Sequence, residues 1–283
     1  MNPIRVRPAS NSKTFDLAPM PRWSLPLMIL AAVIIAAALA WWTANRTIGA
    51  GAPAKVEHRD VGPFHALQVG GIAQVRLEQG DGESIDVEAT RDARVKSEVV
   101  DGHLVIHAED RTPWFSHLFL RRRTPPAQIT VRFRSIDAIG ISGGVAIEAA
   151  SLAVPALNIN ASGGTSLSVG DLRADTLHVR GSGALSAKLA GRVGTENVSI
   201  SGAGSYAAER LIAQNATVSV SGVGNVVVHA ERTLNADISG AGVIEYVGNP
   251  DVTQHVTGIG RVERRETRKP AMTVEAASTG SPA

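Results

Sequence analysis

A glycine-containing pattern recurs about every 20 residues through the second half of this 283-residue chain. Seven segments share the order apolar–x–small–x–Gly, with Ile141 in place of the small residue in the first, and they include ISGAG and VSGVG at spacings of 20, 20, 21, 20, 18 and 18 residues. A fixed period of this length is typical of repeat proteins, in which each unit contacts only its neighbours. The last glycines of the segments, which we expect at the corners of the repeat, are Gly143, Gly163, Gly183, Gly204, Gly224, Gly242 and Gly260.

The residues around each glycine alternate between apolar and polar side chains. The position four residues before each glycine is always Ile or Val, and polar residues such as Asn160 and Ser221 lie between the apolar columns. This period of two is typical of β-strands. Each repeat is therefore predicted to contain two strands of roughly 3–5 residues, joined by a glycine corner.

One such repeat cannot bury its apolar face, whereas stacked repeats can. We therefore expect an all-β fold, a right-handed parallel β-helix or flattened β-roll of about seven coils with about 20 residues each. The glycine content agrees, because 19 of the 28 glycines fall between residues 137 and 260. A propeller would need blades of about 40 residues, and the Leu/Asn signature of leucine-rich repeats is missing. The chain has no cysteine, which excludes disulfides and a lipid-bearing cysteine.

An uncharged apolar stretch near the N-terminus predicts a transmembrane helix at residues 24–42. A helix of that length spans about 28 Å, close to the thickness of the hydrocarbon core of a bilayer. Residues 1–23 form a basic tail that should remain in the cytoplasm. These features predict a single-pass protein of the bacterial inner membrane, with its C-terminal domain in the periplasm or outside. The alternative is a signal peptide that is cleaved near Ala40, which would release a secreted domain.

The remaining sequence divides by composition and periodicity. Residues 43–62 are predicted to be a linker, and residues 264–283 a disordered tail. Between them, residues 63–263 are predicted to form the β-helix. Its first part, residues 63–135, reads as a meander or longer coils, and its second part, residues 136–263, carries the glycine repeats.

An aromatic cluster lies in an apparent insertion at residues 111–124. One interpretation is a cap over the open end of the stack, because exposed sheet edges promote aggregation. The other is a docking element for a membrane surface or a partner protein, with aromatic insertion supported by basic charge. The candidate docking residues are Trp114, Phe115, Leu118, Phe119, Arg121, Arg122 and Arg123.

Several catalytic and binding motifs occur without the context that they require. Residues 140–144 fit G-x-S-x-G and residues 202–207 fit G-x-G-x-x-A, but no helix pattern follows either one. His103 and His107 would be roughly 13 Å apart on a strand, too far for one metal ion. We therefore expect no catalytic residue, cofactor or metal ion. Residues 137–260 have a net charge of −4, from six basic and ten acidic residues, which argues against nucleic acid as a partner.

The sequence resembles the family described as putative auto-transporter adhesin, head GIN domain. The similarity lies in the opening VGGIAQVRLEQGDGESIDVEA, the middle VVDGHLVIHA, and the corners VSISGAGSY and VSVSGVGNV. It covers roughly residues 60–265. The resemblance implies a right-handed β-helical domain on bacterial cell envelopes and brings no catalytic motif with it.

These observations favour a non-enzymatic envelope protein that binds or adheres to its target, or that has a structural or stress-sensing role. Its expected contacts are the bilayer, through residues 24–42, and an envelope glycan or protein. The alternative is a carbohydrate-active β-helix enzyme that acts on envelope polysaccharide. That alternative requires two carboxylates about 5–10 Å apart in an outer groove.

Overall fold

The computed structural model describes residues 55–89, 93–110 and 126–265, which form fourteen β-strands in one sheet and contain no helix. The expectation of an all-β chain is therefore confirmed for these residues. The strands are β1 Lys55–Asp60, β2 Ala66–Gln79, β3 Ser84–Ala89, β4 Ala93–Val100, β5 His103–Asp110, β6 Ala127–Phe133, β7 Ala138–Ala153, β8 Ala156–Gly181, β9 Ala184–Ile200, β10 Ala203–Val220, β11 Val223–Ile238, β12 Ala241–Gly248, β13 Asp251–Val256 and β14 Ile259–Arg264.

The repeat region is a parallel β-solenoid. Strands β7 to β12 pair in chain order, each with the next, and all of these pairings are parallel. The strands are much longer than the predicted 3–5 residues, and β8 alone has 26. They are long because successive turns pair in register through the glycine corner, so that backbone hydrogen bonding continues where the chain changes direction.

The solenoid has about six turns rather than the predicted seven coils. Each glycine of one column faces the backbone of the glycine one turn earlier. The six steps of this column are 20, 20, 19, 20, 18 and 18 residues long. The members are Gly143, Gly163, Gly183, Gly202, Gly222, Gly240 and Gly258.

The predicted alignment of the corner glycines is wrong by two residues after Gly183. Gly204 pairs with Leu185 rather than with Gly183, and Gly202 takes the place above Gly183. The predicted set is therefore divided between two columns. The first three members belong to the column described above, and the last four form a second column two residues further along the strand, namely Gly204, Gly224, Gly242 and Gly260.

The N-terminal end of the solenoid combines parallel and antiparallel pairing. β2 pairs with β7 on one side and with β5 and β6 on the other, all parallel. β3 then pairs antiparallel with β6, β1 with β3, and β4 with β5. Residues 63–135 thus contribute both stacked turns and a covering meander. Part of the predicted linker, residues 55–60, is strand β1.

The opposite end is formed by two short strands. β13 pairs with β11 and β14 with β12, each along one edge. Within the described part of the chain, neither strand has a partner on its other edge. This end differs from the N-terminal end, which antiparallel strands cover.

The core is a set of aliphatic columns inside the coil. One inner column runs through Ile147, Leu167, Ala187, Val226 and Ile244, each at most 4% exposed. Tyr206 lies between Ala187 and Val226 in the same column and is completely buried. The predicted inner ladder of Val, Ile and Leu is therefore present, with one tyrosine inside it.

Several predictions concern residues that the structure does not describe. They are the transmembrane helix at residues 24–42, the greater part of the linker, the candidate docking residues between 111 and 124, and residues 266–283 of the tail. Among the residues that are described, no helix is long and apolar enough to cross a membrane.

Candidate functional site

A flat polar surface, here called the polar face, lies on the strands that lead into the glycine corner. Three outward-pointing columns form it, because alternate residues of a strand point to the same side. Each of six consecutive turns contributes three residues. The eighteen residues of the polar face are Asn158, Asn160, Ser162, His178, Arg180, Ser182, Asn197, Ser199, Ser201, Thr217, Ser219, Ser221, Asn235, Asp237, Ser239, Thr253, His255 and Thr257.

The polar face is a regular array of hydrogen-bonding groups. Neighbours on successive turns are about 4.8 Å apart, and neighbours along a strand about 7 Å apart. All eighteen residues are exposed or half-buried, and none of them is apolar. Apart from two histidines, the only ionisable groups are Arg180 and Asp237. Such a surface can form many neutral hydrogen bonds with an extended polar ligand.

A shallow groove of about 330 Å³ surrounds Arg180, which lies in the central column on the second turn of the polar face. Ala161 and Gly181 form its floor, because they carry little or no side chain. Asn160, Arg180 and Ser199 belong to adjacent turns of one column, so that the guanidinium group has an amide on one side and a hydroxyl on the other. The other lining side chains are three corner serines, Ser162, Ser182 and Ser201.

The serines of the corner form a continuous column just before the glycines. The Ser162 hydroxyl donates a 3.1 Å hydrogen bond to the carbonyl oxygen of Ile141, and the Ser201 hydroxyl donates one of 3.4 Å to that of Gly181. Hydroxyls bound to the preceding turn help to hold successive corners together. The column consists of Ser142, Ser162, Ser182, Ser201, Ser221, Ser239 and Thr257.

A larger groove of about 880 Å³ lies at a different corner of the solenoid. Asp171, Arg173, Asp175 and Arg192 line it. Arg173 and Asp171 form an exposed ion pair at 3.1 Å, so these two charges largely neutralise each other. The groove is a polar cleft of nearly balanced charge, and Val154 and Pro155 add apolar surface to its wall.

Asp171, Asp175 and Glu196 are three carboxylates of the repeat region, and they do not form one site. Asp171 and Asp175 line the same groove, but Glu196 is completely buried in the core. Tyr206 donates a 2.6 Å hydrogen bond to Oε1 of Glu196. Desolvation by burial raises the pKa of Glu196 to about 7, and it also raises the pKa of Tyr206. This pair has no access to a ligand, and we regard it as a feature of the core.

The glycines predicted at corners have two different environments. At Gly163 the backbone has φ of +93°, and a Cβ atom would lie 2.5 Å from the carbonyl oxygen of Gly143. At Gly224 a Cβ atom would lie 3.3 Å from the oxygen of Gly204, a much milder contact. Close approach of the turns therefore requires glycine at Gly163 in the first column. It also requires glycine at Gly242 and Gly260 in the second column, where a Cβ atom would lie 2.5 and 2.4 Å from the carbonyl oxygen of the preceding turn.

Sequence reasoning missed the polar face as a unit. The alternation predicts Asn160 and Ser221 as polar positions, but a repeat that is misaligned after Gly183 places such residues in the wrong columns. The Ser-Gly dipeptide indicates the correct alignment of the turns, because it occupies the same position in each turn from Ser142 to Ser239. No candidate docking residue falls in the described ranges, although β5 and β6 fix where that insertion leaves and re-enters the stack.

No cofactor site is evident from the donor groups of the described residues, and these residues contain no group of three or more His, Asp or Glu side chains that could hold a metal ion. His103 and His107 both lie on β5, as the strand prediction requires. His103 packs edge-on against His65, with ring centroids 5.5 Å apart.

Comparison with known proteins adds a family and a fold. The family described as putative auto-transporter adhesin, head GIN domain, matches residues 63–250. A crystal structure of a putative adhesin from Bacteroides fragilis has a TM-score of 0.68 at 19% identity, covering 76% of this chain and 98% of that one. A putative adhesin from Parabacteroides merdae has a TM-score of 0.56 at 20% identity, with the same coverages.

A putative lipid binding protein from Parabacteroides distasonis is also similar. It has a TM-score of 0.50 at 18% identity, covering 77% of this chain and 98% of that one. At these identities the likeness is one of fold alone. No sequence among curated proteins matches this chain.

Proposed function

Because the chain belongs to the GIN-domain family that its motifs resemble, we propose that it is a non-enzymatic binding protein of the bacterial cell envelope, with the polar face as its ligand surface. The observation that carries this proposal is the polar face itself, six turns of exposed hydroxyl and amide groups in register. The names of the structural relatives, putative adhesins, agree with a binding role at the cell surface or in the envelope.

The chemistry of the polar face favours a saccharide chain over an apolar ligand. Hydroxyl and amide side chains pair with sugar hydroxyls as both donors and acceptors. A single contact of this kind at an exposed site is weak. Repetition over six turns allows an extended chain to bind at several points, which raises its affinity by effective concentration.

The test uses the full chain in detergent against a panel of envelope glycans and envelope proteins. A blocked variant, Thr217→Phe with Asn235→Phe, places bulky uncharged groups on the polar face. The matched control, Ser186→Phe with Ser205→Phe, does the same on the exposed surface beyond the glycine corner. We expect the first variant to lose binding and the second to retain it. Equal behaviour of the two variants, or no binding of wild-type protein to any member of the panel, would contradict the proposal.

We further propose that residues 24–42 anchor the domain in the inner membrane, with the right-handed solenoid on the outer side. The uncharged apolar stretch and the basic residues before it support this orientation. Envelope fractionation tests it. Protein that remains in the membrane fraction after a high-salt wash supports the anchor, and a soluble form that starts near Ala40 supports cleavage.

The aromatic insertion is proposed as a secondary docking element. Its ends are defined by β5, which stops near the register of Gly71, and by β6, which starts at that of Ala73. The described strands on either side of it, β5 and β6, therefore end and begin beside the glycine corner. If Trp114→Ala with Phe115→Ala changes neither surface association nor partner capture, this docking role is wrong.

A further inference from the structure

We propose that the groove around Arg180 binds an oxyanion, so that the ligand of the polar face is an acidic saccharide with carboxylate or sulfate groups. This inference rests on the proposed binding function of the polar face and adds the chemical class of the ligand. The groove geometry, the unpaired guanidinium group and the surrounding donors carry it together.

Arg180 is one of several arginines of the solenoid that no described carboxylate neutralises, as are Arg192, Arg210 and Arg232, and it is the arginine that lies on the polar face. Arg132, Arg173 and Arg261 each contact a carboxylate at 3.1 Å or less. No described carboxylate lies within ion-pair distance of Arg180. The one carboxylate of the polar face, Asp237, belongs to the turn three steps further along, about 14 Å away at the usual strand spacing.

The side chains beside Arg180 can all donate hydrogen bonds. Asn160 lies one turn before it, Ser199 one turn after it, and Ser182 two residues further along the chain. Within the described part of the molecule, these three side chains make no hydrogen bond of their own. Although residues 137–260 carry a net charge of −4, an arginine with two hydroxyls and an amide provides many donors and no competing anion at this groove, which is the requirement for holding an oxyanion locally.

The size of the groove and its guanidinium group suit a carboxylate or sulfate group. The guanidinium fork matches the two oxygens of a carboxylate or sulfate and can bind both at once. The volume of about 330 Å³ is at the lower end of the range for small-molecule sites, large enough for one sugar unit. The neutral columns on either side are then available to the hydroxyls of the adjoining units.

The experiment measures binding of the full chain in detergent to three probes, namely oligogalacturonate, sulfated dextran and neutral dextran. We expect the two acidic probes to bind more tightly than neutral dextran, and the better of the two identifies the anion. Arg180→Gln should weaken binding of that probe by about tenfold, the scale of a lost charge-assisted pair, and Arg180→Lys should restore part of it.

The control variant is Arg210→Gln, which removes the same charge from an exposed arginine outside the polar face. It should leave binding unchanged. Equal loss in the two variants would mean nonspecific charge attraction and would overturn the inference. Binding of neutral dextran that matches the acidic probes, with no effect of Arg180→Gln, would overturn the oxyanion site and leave the proposed function intact. If the acidic probes do not bind while another envelope ligand does, the inference fails alone, and if nothing binds, both fail.

Discussion

Tyr206 donates a 2.6 Å hydrogen bond to Oε1 of Glu196, and both side chains are completely buried inside the solenoid. Glu196 occupies a position that adjacent turns fill with Leu177 and Ala216. Tyr206 has Ala187 as its neighbour on the preceding turn. The small side chains of Ala216 and Ala187 thus leave space in the core for the larger side chains of Glu196 and Tyr206.

The hydrogen bond satisfies only part of this buried pair. Oε2 of Glu196 has no hydrogen-bond partner among the described residues. A carboxylate in this position loses hydration without full compensation, which is why burial raises the pKa of Glu196 to about 7. The neutral acid is therefore the form that the core tolerates best.

The first prediction is that the protein is less stable at neutral pH than at mildly acidic pH. In the unfolded chain Glu196 has an ordinary pKa of 4.5, so between that pH and about 7 the native state binds the extra proton. The free energy of unfolding should then fall by about 3 kcal/mol as pH rises through this range, and Glu196 should contribute no further change above it. Urea unfolding at several pH values measures this slope.

The matched variants are Glu196→Gln and His58→Gln. Glu196→Gln should remove most of the slope between pH 4.5 and 7. His58 acts in the same direction, because its hydrogen bond to Asp86 raises its pKa above 6.5, and its contribution is lost as pH rises through that raised value. A slope that persists in Glu196→Gln but disappears in His58→Gln would show that the buried acid is not responsible.

The second prediction contrasts two adjacent glycines. Gly163 has φ of +93° and faces the carbonyl oxygen of Gly143 at close range, whereas a Cβ atom on Gly164 would meet nothing within 4 Å. Gly163→Ala should lower the free energy of unfolding by at least about 2 kcal/mol, because it adds both backbone strain and a clash between turns. Gly164→Ala should be neutral or stabilise by up to about 1 kcal/mol. Thermal unfolding of both variants decides this, and similar losses would contradict the column assignment.

The register of the glycine column that contains Gly163 marks the limit of what the sequence could predict about the fold. The period-two alternation and the recurring glycines were enough to predict a stacked parallel β-solenoid. They could not fix the register between Gly183 and Gly204, because a shift of two residues leaves every side chain on the same side of the strand. The alignment therefore slipped by two residues without disturbing the apolar pattern.

The candidate site was only partly predictable for the same reason. Arg180 and its neighbours are ordinary polar residues until the register places Asn160 and Ser199 on either side of them. The Glu196–Tyr206 pair was also missed, because the residues lie ten positions apart, about half a turn, and meet across the core only when the coil closes. Such contacts depend on how the coil closes and on the register between turns. The secondary-structure propensities of single segments do not determine either one.

The third prediction concerns the charged cluster that joins the covering strands to the stack. The Asp86 carboxylate on β3 accepts hydrogen bonds of 2.6 Å from His58 on β1 and from Arg132 on β6. Asp86→Asn should lower the pKa of His58 towards its ordinary value of 6.5, since the Asp86 contact is the main cause of the raised pKa. NMR titration of the His58 ring measures the change. Asp60→Asn is the control and should have a smaller effect, so a larger shift in that variant would contradict the assignment.

The last prediction concerns the end of the stack that β13 and β14 form. Ile259 at the start of β14 is 86% exposed, and β14 has one hydrogen-bonded neighbour in the described residues. An apolar residue beside an unpaired strand edge favours association with another chain. Ile259→Lys should therefore reduce self-association at high protein concentration and change the free energy of unfolding by less than about 0.5 kcal/mol.

Val223→Lys is the matched control, because Val223 is 56% exposed in the same column two turns earlier, where both edges of the strand are paired. Sedimentation velocity over a concentration series should detect weaker association in Ile259→Lys alone, and an equal effect of Val223→Lys would assign the association to the corner column rather than to the strand edge.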